Sequence, residues 1–309
     1  MSFTVKIKEE ISNIKSTKSE IIAELSGYIR NNGIFQDNKV TLNTENKFLV
    51  DRISNFIQVI TDINPQVEII ENLNFSKKEL YQITIENNLD KMLKELGIYN
   101  EKNEYLPVVP TYIVGANEEI RAYLRGVFFA SGSINDPKTS RYHLEFLLDD
   151  YDYSLFVCEL LDYFNLNSKL IERNNGFMIY IKEAEKISDF LRIMKAYNAV
   201  LYFEDIKAYR EHKNLVNRLN NCEQANVEKT INSALNQVSD IELIENKIGI
   251  DALDEKLQTV CVYRKKYKEA SLSELSNIIS METNTKVTKS GLNHRMRKIK
   301  EIANNLRRK

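Results

Sequence analysis

The chain has 309 residues, of which 43% are hydrophobic and 28% are charged, and its formal net charge is −1. This length accommodates two domains, and the low content of 9 Gly and 4 Pro argues against long disordered stretches. No apolar run is long enough to cross a bilayer, and the first residues lack the apolar segment of a secretory signal. We therefore expect a cytoplasmic protein with no membrane partner.

The cysteines and histidines are few and scattered. They are Cys158, Cys222, Cys261, His143, His212 and His294. A disulfide framework or a zinc site would need paired spacings, which this pattern lacks. We expect reduced thiols, no bound metal and no cofactor.

The small net charge conceals an asymmetry along the chain. Residues 1–205 contain 23 Lys and Arg against 31 Asp and Glu, whereas residues 206–309 contain 20 against 13. From residue 256 onward the counts are 14 against 4, a net charge of +10. A cationic segment of this strength indicates binding to a polyanion, and a solvated basic helix is the simpler alternative.

A nine-residue pattern occurs twice in the first two-thirds of the chain. LSGYIRNNG at 25–33 is repeated in outline as LRGVFFASG at 124–132. Each copy follows a helix-like run, SEIIAE and EEIRAY. The hydrophobic patterning predicts the order α-β-α-β-β-α for both, with a further strand left open near each motif. Strands are predicted at 39–45, 66–71, 80–86, 142–148, 168–173 and 177–182, and helices at 48–60, 89–96, 153–164 and 185–194.

Glycines within the two motifs predict how the copies pack. Gly27 and Gly126 are expected at a seam where two helices approach closely across a pseudo-two-fold axis, with Gly33 and Gly132 just past the helix ends. The two nonapeptides resemble degenerate copies of the LAGLIDADG motif of homing endonucleases. The resemblance implies a duplicated α/β fold of that kind.

In that endonuclease family the acid at the eighth motif position helps to hold the catalytic metal. The corresponding residues here are Asn32 and Ser131, and neither supplies the anionic oxygen that Mg²⁺ favours. We therefore expect no catalytic residue and no nuclease activity. Asp37 and Asp136 lie beyond the helix ends and are the candidate replacements if a metal-dependent endonuclease has survived.

The strand-like segments are predicted to carry acidic residues and few Lys or Arg. The acidic residues are Glu45, Glu68, Glu71, Glu86, Glu145, Asp149 and Asp150. Homing endonucleases lay a strand saddle on DNA, and a phosphate backbone would be repelled by such a surface. The duplicated domain is therefore interpreted as a scaffold or interaction module with at most peripheral DNA contacts.

The connector after the repeat is rich in amide side chains. Asn217, Arg218, Asn221 and Asn226 are its candidate functional residues, because they can dock one domain on the other or contact phosphates. A capped and solvated connector is an equally good interpretation. Apolar residues with helical spacing predict that a helix resumes at Val227.

The last forty residues carry a two-helix pattern. Ser271 and Glu274 form a predicted capping box, and after a polar turn Thr288 or Ser290 caps a second helix that continues to about Leu306. The predicted inner face of the second helix contains Leu292, Met296, Ile299, Ala303 and Leu306. This is the arrangement of a helix-turn-helix, which places its second helix in the major groove.

Polar and cationic residues of this second helix are the candidate DNA-binding residues. They are Lys289, Ser290, Asn293, His294, Arg295, Arg297, Lys298 and Lys300. Asn293 and Arg297 are the best candidates for base contacts, because both side chains can form bidentate hydrogen bonds. Arg295 is predicted to point toward the apolar edge, and the basic tail at 307–309 is assigned to nonspecific electrostatics.

Three segments together resemble the WhiA family of bacterial transcription regulators. They are RAYLRGVFFASGS at 121–133 with YHLE at 142–145, NRLNNCEQAN at 217–226, and TKSGLNHRMRK at 288–298. The resemblance implies a degenerate LAGLIDADG domain, a helical linker and a helix-turn-helix. It also implies roles in sporulation control, cell division or chromosome organisation. The first motif departs most from the family pattern, at 28–32.

The resulting prediction is an α+β protein with a duplicated LAGLIDADG-like domain over residues 1–205, a linker over 206–226 and an all-α domain over 227–309. The helix-turn-helix is placed at about 271–305. The predicted function is a nucleoid-associated regulator that binds double-stranded DNA, with a second regulator or the transcription machinery as a further partner. The alternative is an adaptor whose acidic N-terminal domain binds a protein, with DNA contact secondary.

Overall fold

The computed structural model describes residues 1–36, 38–70, 79–139, 141–174 and 176–308. It divides into two compact units, Met1–Arg210 and Glu211–Lys309. Within the described residues, no helix is long and apolar enough to cross a membrane.

The first unit begins with a helix that the sequence patterns did not predict and then contains one copy of the repeat. Helix α1 buries Phe3, Ile7 and Ile11, because these apolar residues recur at helical spacing. The elements of this half are α1 (Phe3–Ser12), α2 (Lys18–Asn32), β1 (Ile34–Gln36), β2 (Lys39–Thr44), α3 (Lys47–Thr61), β3 (Gln66–Ile70), β4 (Leu80–Ile85) and α4 (Leu89–Glu95).

The second half of this unit repeats the same order after a short 3-10 helix at Thr111–Ile113. Its elements are α5 (Asn117–Ser131), β5 (Gly132–Ile134), β6 (Leu144–Leu148), α6 (Tyr151–Tyr163), β7 (Lys169–Arg173), β8 (Gly176–Ile181) and α7 (Ala184–Ile193). The order in both copies is α-β-β-α-β-β-α. The strand left open near each motif is therefore β1 and β5, which have three residues each and are too short to show an alternating pattern.

Each half contains one four-stranded antiparallel sheet. The strand orders are β1-β2-β4-β3 and β5-β6-β8-β7. In the register of the first sheet Leu42 lies opposite Ile83, and in the second Phe146 lies opposite Ile179; all four side chains are fully buried. The inner face of each sheet thus closes the same hydrophobic core that the helices line.

Helices α2 and α5 pack against each other at their glycines. A Cβ atom built on Gly126 would lie 2.0 Å from the carbonyl oxygen of Glu24, and one built on Gly27 would lie 2.5 Å from the carbonyl oxygen of Tyr123. The backbones can approach this closely only because both positions lack a side chain. The predicted glycine seam is confirmed.

A buried ionic cluster crosses this seam. The Glu24 carboxylate accepts hydrogen bonds from Nε of Arg125 at 2.7 Å and from Nε and Nη2 of Arg52 at 2.5 and 2.8 Å. Glu24 is fully buried and Arg125 is 1% exposed. An unpaired charge is costly to bury, so the Glu24 carboxylate is paired with both guanidinium groups. The cluster links α2, α3 and α5.

The prediction that the strands themselves carry these acidic residues is wrong for most of the residues named. Of the predicted strand acids, only Glu68 and Glu145 lie within strands. Glu45, Glu86, Asp149 and Asp150 lie just beyond strand ends, and Glu71 lies outside the described residues. The error arose because period-2 patterning locates strand boundaries only to within a few residues.

The second unit is all helical, and its first helix begins in the preceding unit. Helix α8 (Tyr197–Ile248) has 52 residues without a Gly or Pro and ends before Gly249, whose φ is 79°. The helix therefore does not resume at Val227, as the patterning suggested, but runs through the predicted linker without a break. After the short 3-10 helix at Ile250–Ala252 follow α9 (Glu255–Lys266), α10 (Leu272–Thr283) and α11 (Lys289–Arg307).

Candidate nucleic-acid interface

Helix α10 begins at the predicted capping box. The Ser271 amide donates to Oε2 of Glu274 at 2.8 Å, and the Glu274 amide donates to Oγ of Ser271 at 3.2 Å. These two bonds satisfy amides that have no acceptor inside the helix. The first helix of the two-helix pattern is confirmed.

Helix α11 is capped by Thr288 rather than by Ser290. Oγ1 of Thr288 accepts from the Gly291 amide at 3.1 Å, and the preceding turn is held by Ser280, whose Oγ accepts from the Val287 amide at 3.0 Å. Each hydroxyl accepts a hydrogen bond from a backbone amide that has no carbonyl partner in the turn. The entry angle of α11 is therefore set by its own cap and by a side chain of α10.

The inner face of α11 forms part of a separate hydrophobic core. Leu292, Met296, Ile299 and Ala303 are at most 4% exposed, and Leu306 is partly buried, as predicted. They pack with residues from the end of α8, from α9 and from α10, namely Ile241, Ile244, Leu257, Val260, Cys261, Leu275 and Ile279. This core holds α11 rigidly by one side, so its opposite side is presented to solvent.

The opposite side of α11 carries the predicted DNA-binding residues. The exposed residues of this set are Lys289, Ser290, Asn293, His294, Arg297, Lys298 and Lys300. Arg295 is partly buried, in agreement with its predicted position at the apolar edge. Across the described ranges, none of the four Lys and Arg in the exposed set forms an ion pair with a carboxylate. Their charges are therefore available to an external anion.

Helix α8 contributes side chains that the sequence analysis did not single out. Lys229, Asn232 and Asn236 line a cleft of about 660 Å³ together with Asn293 and Arg297 of α11. The sequence signal was available, since these three residues lie on the side of α8 opposite the buried Ala234 and Val238. The cleft places these two amides and one cation beside α11, and its lining also contains Glu228 and Asp240, of which Asp240 is paired with Arg307.

The linker residues lie elsewhere on the same helix. Asn217, Arg218, Asn221 and Asn226 are exposed, as is every residue from 211 to 230. None of the four lines the cleft beside α11. The structure thus leaves them on a solvated helical surface and does not bring them to the candidate interface.

The two motif positions that replace catalytic acids have structural partners. The side-chain amide of Asn32 donates to the carbonyl oxygen of Asn43 at 3.2 Å and accepts from the Asn43 amide at 3.0 Å. Oγ of Ser131 donates to the carbonyl oxygen of Val127 at 3.1 Å. Asn32 therefore ties the end of α2 to β2, and Ser131 bonds within its own helix.

Of the two candidate replacement acids, the structure describes only Asp136, whose printed hydrogen-bond partners lie outside the two motifs. Asp136 accepts from the Tyr202 hydroxyl at 3.1 Å and from the Lys138 amide at 2.9 Å, and Asp37 lies outside the described residues. No group of three His, Cys, Asp or Glu side chains suited to a metal occurs in the ranges that the structure describes.

Burial raises the pKa of the Cys261 thiol to about 11.

Known proteins match this chain along its whole length. The WhiA N-terminal LAGLIDADG-like domain matches residues 18–99, the WhiA LAGLIDADG-like domain matches 120–213, and the WhiA C-terminal HTH domain matches 216–303. The protein named probable cell division protein WhiA in Lysinibacillus sphaericus is 39% identical, with 100% of this chain and 98% of that protein covered. The protein of that name in Bacillus subtilis is 38% identical, with 99% and 98% covered.

A solved structure supports the same assignment. Full-length DUF199/WhiA from Thermatoga maritima is 28% identical and superposes with a TM-score of 0.58, over 99% of this chain and 98% of that chain. The N-terminal LAGLIDADG domain of DUF199/WhiA covers 62% of this chain with a TM-score of 0.50. With two LAGLIDADG-like halves, a helix-turn-helix and relatives that match from end to end, this chain belongs to the WhiA family.

Proposed function

We propose that this protein is a transcription regulator that binds double-stranded DNA through the exposed face of α11 and does not cleave it. The observation that carries the proposal is the two-sided character of α11. One side is buried in the core of its unit, while the other presents four unpaired Lys and Arg together with Asn293 and His294. A rigid helix with such a face suits the major groove, where cations bind phosphates and amides read bases.

The residues of α11 divide by the chemistry of their side chains. Asn293 suits adenine and Arg297 suits guanine, because each forms two hydrogen bonds in one plane with those bases. Lys289, Lys298 and Lys300 suit phosphates, since an ammonium group has charge but little directional preference. Ser290 and His294 flank the base-reading pair, and Arg295 suits a phosphate or a neighbouring helix.

Absence of nuclease activity is supported by what occupies the motif ends. Both polar atoms of the Asn32 side chain are already bonded to the backbone of β2, and neither Asn32 nor Ser131 carries a charge. Mg²⁺ would have to displace these bonds and would find no anionic ligand in return. The LAGLIDADG-like domain then acts as a platform.

The biological process is proposed from the relatives' names. Relatives at 38–39% identity are called probable cell division proteins, so we assign this protein to control of cell division or chromosome organisation. Sporulation control is the third process in the proposal. We also retain the division into residues 1–205, 206–226 and 227–309, with the protein in the cytoplasm at the nucleoid.

An adaptor function is a second candidate, and one observation favours it. The edge strand β3 is exposed along its whole length, and Val67 and Ile69 are 43% and 59% exposed. An exposed strand with apolar side chains is a potential attachment site for another protein. Such a partner, a second regulator or a component of the transcription machinery, would bind the N-terminal platform while α11 binds DNA.

The DNA-binding proposal is tested by fluorescence anisotropy with the full chain and a duplex selected from a random library. Asn293→Ala should relax sequence preference, because one well-made bidentate pair contributes about 1–3 kcal/mol of discrimination. Lys300→Ala should weaken all duplexes alike and lower the salt slope by about 1. Asn305→Ala is the matched control, since Asn305 is exposed on the same helix but lies farther along it.

Two results would overturn the proposal. Sequence preference that is equal in the wild type and in Asn293→Ala would remove α11 from base recognition. Nicking of supercoiled DNA in Mg²⁺ or Mn²⁺ that disappears in Asp136→Asn would establish an endonuclease instead.

Retained DNA binding together with loss of a bound protein in Val67→Lys would support the adaptor as an additional function.

A further inference from the structure

A small cavity lies in the C-terminal unit at the start of α10. Its volume is about 290 Å³, several times that of a water molecule. Three cationic side chains line it, Lys229, Arg264 and Lys289, and no carboxylate does. Hydroxyl groups of the same lining come from Thr230, Ser233, Ser271 and Ser273. The lining is therefore composed mainly of hydrogen-bond donors and positive charge.

Arg264 is the unusual member of this lining. It is 1% exposed, and its Nη1 donates to the carbonyl oxygens of Tyr267 at 3.2 Å and Ala270 at 2.6 Å. Its Nε has no hydrogen-bond partner, and within the described part of the chain no carboxylate forms an ion pair with it. Burial lowers the pKa of the guanidinium, but arginine remains charged. Burying a cation without a counter-charge is costly, and a bound anion would supply that counter-charge.

The start of α10 supplies further donors. The amides of Leu272 and Ser273 belong to the first turn, where no preceding carbonyl of the helix can accept them. The N-terminus of a 12-residue helix also carries a partial positive charge, which favours anions. The carboxylate of Glu274, in the same turn, is engaged by the Ser271 amide in the capping box. Backbone amides, a buried guanidinium and two lysines thus surround one space.

We propose that this cavity binds one phosphate group, held by the start of α10, by Arg264 and by Lys229 and Lys289. The proposal rests on the DNA-binding function above when the phosphate belongs to DNA. The cavity shares Lys229, Ser233 and Gln237 with the cleft beside Asn293 and Arg297, so a backbone phosphate seated here would flank the bases that α11 reads. A phosphorylated small molecule presents the same chemistry and would regulate access to that cleft.

The decisive variant is Ser273→Asp, because its effects on folding and on anion binding are opposite. Asp in the first turn of a helix stabilises it, so the variant should fold at least as well as the wild type. The same carboxylate stands in the cavity and repels a phosphate. Asn277→Asp is the matched control, since Asn277 is exposed one turn later on α10 and does not line the cavity.

A second pair of variants removes a cation and leaves the buried arginine intact. Lys229→Gln takes one charge from the cavity, and Lys213→Gln takes one from an exposed position on the same helix outside it. Both full-length variants and their controls are measured in two assays. One assay is the melting temperature of the protein with and without inorganic phosphate, against chloride at equal ionic strength. The other is DNA affinity as a function of salt.

If the occupant is a DNA phosphate, Ser273→Asp and Lys229→Gln lower DNA affinity roughly tenfold and reduce the salt slope by about 0.9 relative to their controls. If the occupant is a free phosphorylated molecule, phosphate raises the melting temperature of the wild type and both controls but not of these two variants, and Ser273→Asp, which lies outside the cleft beside α11, binds DNA like its control. Both results support the pocket. Variants that match their controls in both assays overturn it. A wild type that fails to bind DNA refutes the proposed function alone, because the phosphate assay still decides the pocket.

Discussion

The close approach of α2 and α5 allows a stability prediction to be derived from one methyl group. In Gly126→Ala the new Cβ would lie 2.0 Å from the Glu24 carbonyl oxygen, 2.9 Å from the Tyr28 amide nitrogen and 3.0 Å from the Glu24 carbonyl carbon. All three are backbone atoms, so no side chain can rotate away. The helices must separate locally by about 1 Å to restore ordinary contact distances, in an interior that is close-packed.

Three contributions set the size of the effect. Overpacking costs about 1–3 kcal/mol, with the upper end expected where only backbone can move. Separation also stretches the 2.7 Å bond between Arg125 and Glu24, which adds about 1–2 kcal/mol because the pair is buried. Alanine returns about 1 kcal/mol through its higher helix propensity. We expect the free energy of unfolding of the first unit to fall by about 3 kcal/mol.

Tyrosine fluorescence during urea unfolding of the full chain measures this change. The chain has no Trp, and 14 of its 16 Tyr precede residue 211, so the signal reports mainly on the first unit. A loss of about 3 kcal/mol moves the urea midpoint down by about 1 M or more. Gly115→Ala is the control, because its Cβ would be 3.3 Å from the nearest atom. A Gly126→Ala midpoint equal to that of the control would refute the packing argument.

Three further predictions concern charge and capping. Glu24→Gln should destabilise the first unit by about 3 kcal/mol in the same urea assay, since both arginines keep their charges in the core. The control Glu95→Gln loses a more exposed ion pair and should cost less than about 1 kcal/mol. Burial lowers the pKa of Lys8 from 10.5 to about 8, so the unfolded chain binds more protons between these values. Lys8 therefore contributes stability that increases as pH rises from 8 to 10, so the wild type should gain stability relative to Lys8→Met in urea titrations across that range. Thr288→Ala should cost the second unit about 1 kcal/mol in thermal melts followed by circular dichroism at 222 nm, and Thr288→Ser, which keeps the hydroxyl, should not.

Much of the candidate interface could be predicted from the sequence because it depends on short-range patterns. The capping box at Ser271 and Glu274 and the alternation of buried and exposed residues along α11 are separations of three or four residues. Such patterns encode which side of a helix is buried without reference to the rest of the fold. For the same reason α10 and α11 begin where their caps were predicted, with the choice of Thr288 over Ser290 made by the structure.

Other parts of the site depend on residues far apart in the chain. Lys229 of α8 meets Lys289 of α11 and Ser271 of α10 around one cavity, and no local pattern relates these three residues. The buried charge of Arg264 is equally invisible in a basic segment, because its burial is a property of the surrounding helices. Only packing reveals that a cation lacks a counter-charge.

The sequence by itself determined the duplication, the glycine seam and the two-sided helix near the C-terminus, because repeats and helical periodicity survive without tertiary context. The tertiary structure decided the three-residue strands β1 and β5, which exist through pairing with β2 and β6 and carry too few residues for a pattern. It also placed Glu45, Glu86, Asp149 and Asp150 beyond the strand ends and joined Glu24 to Arg125 across 101 positions. Strand boundaries and long-range ion pairs depend on contacts between segments that are distant in the chain. They are therefore defined only when those segments pack together.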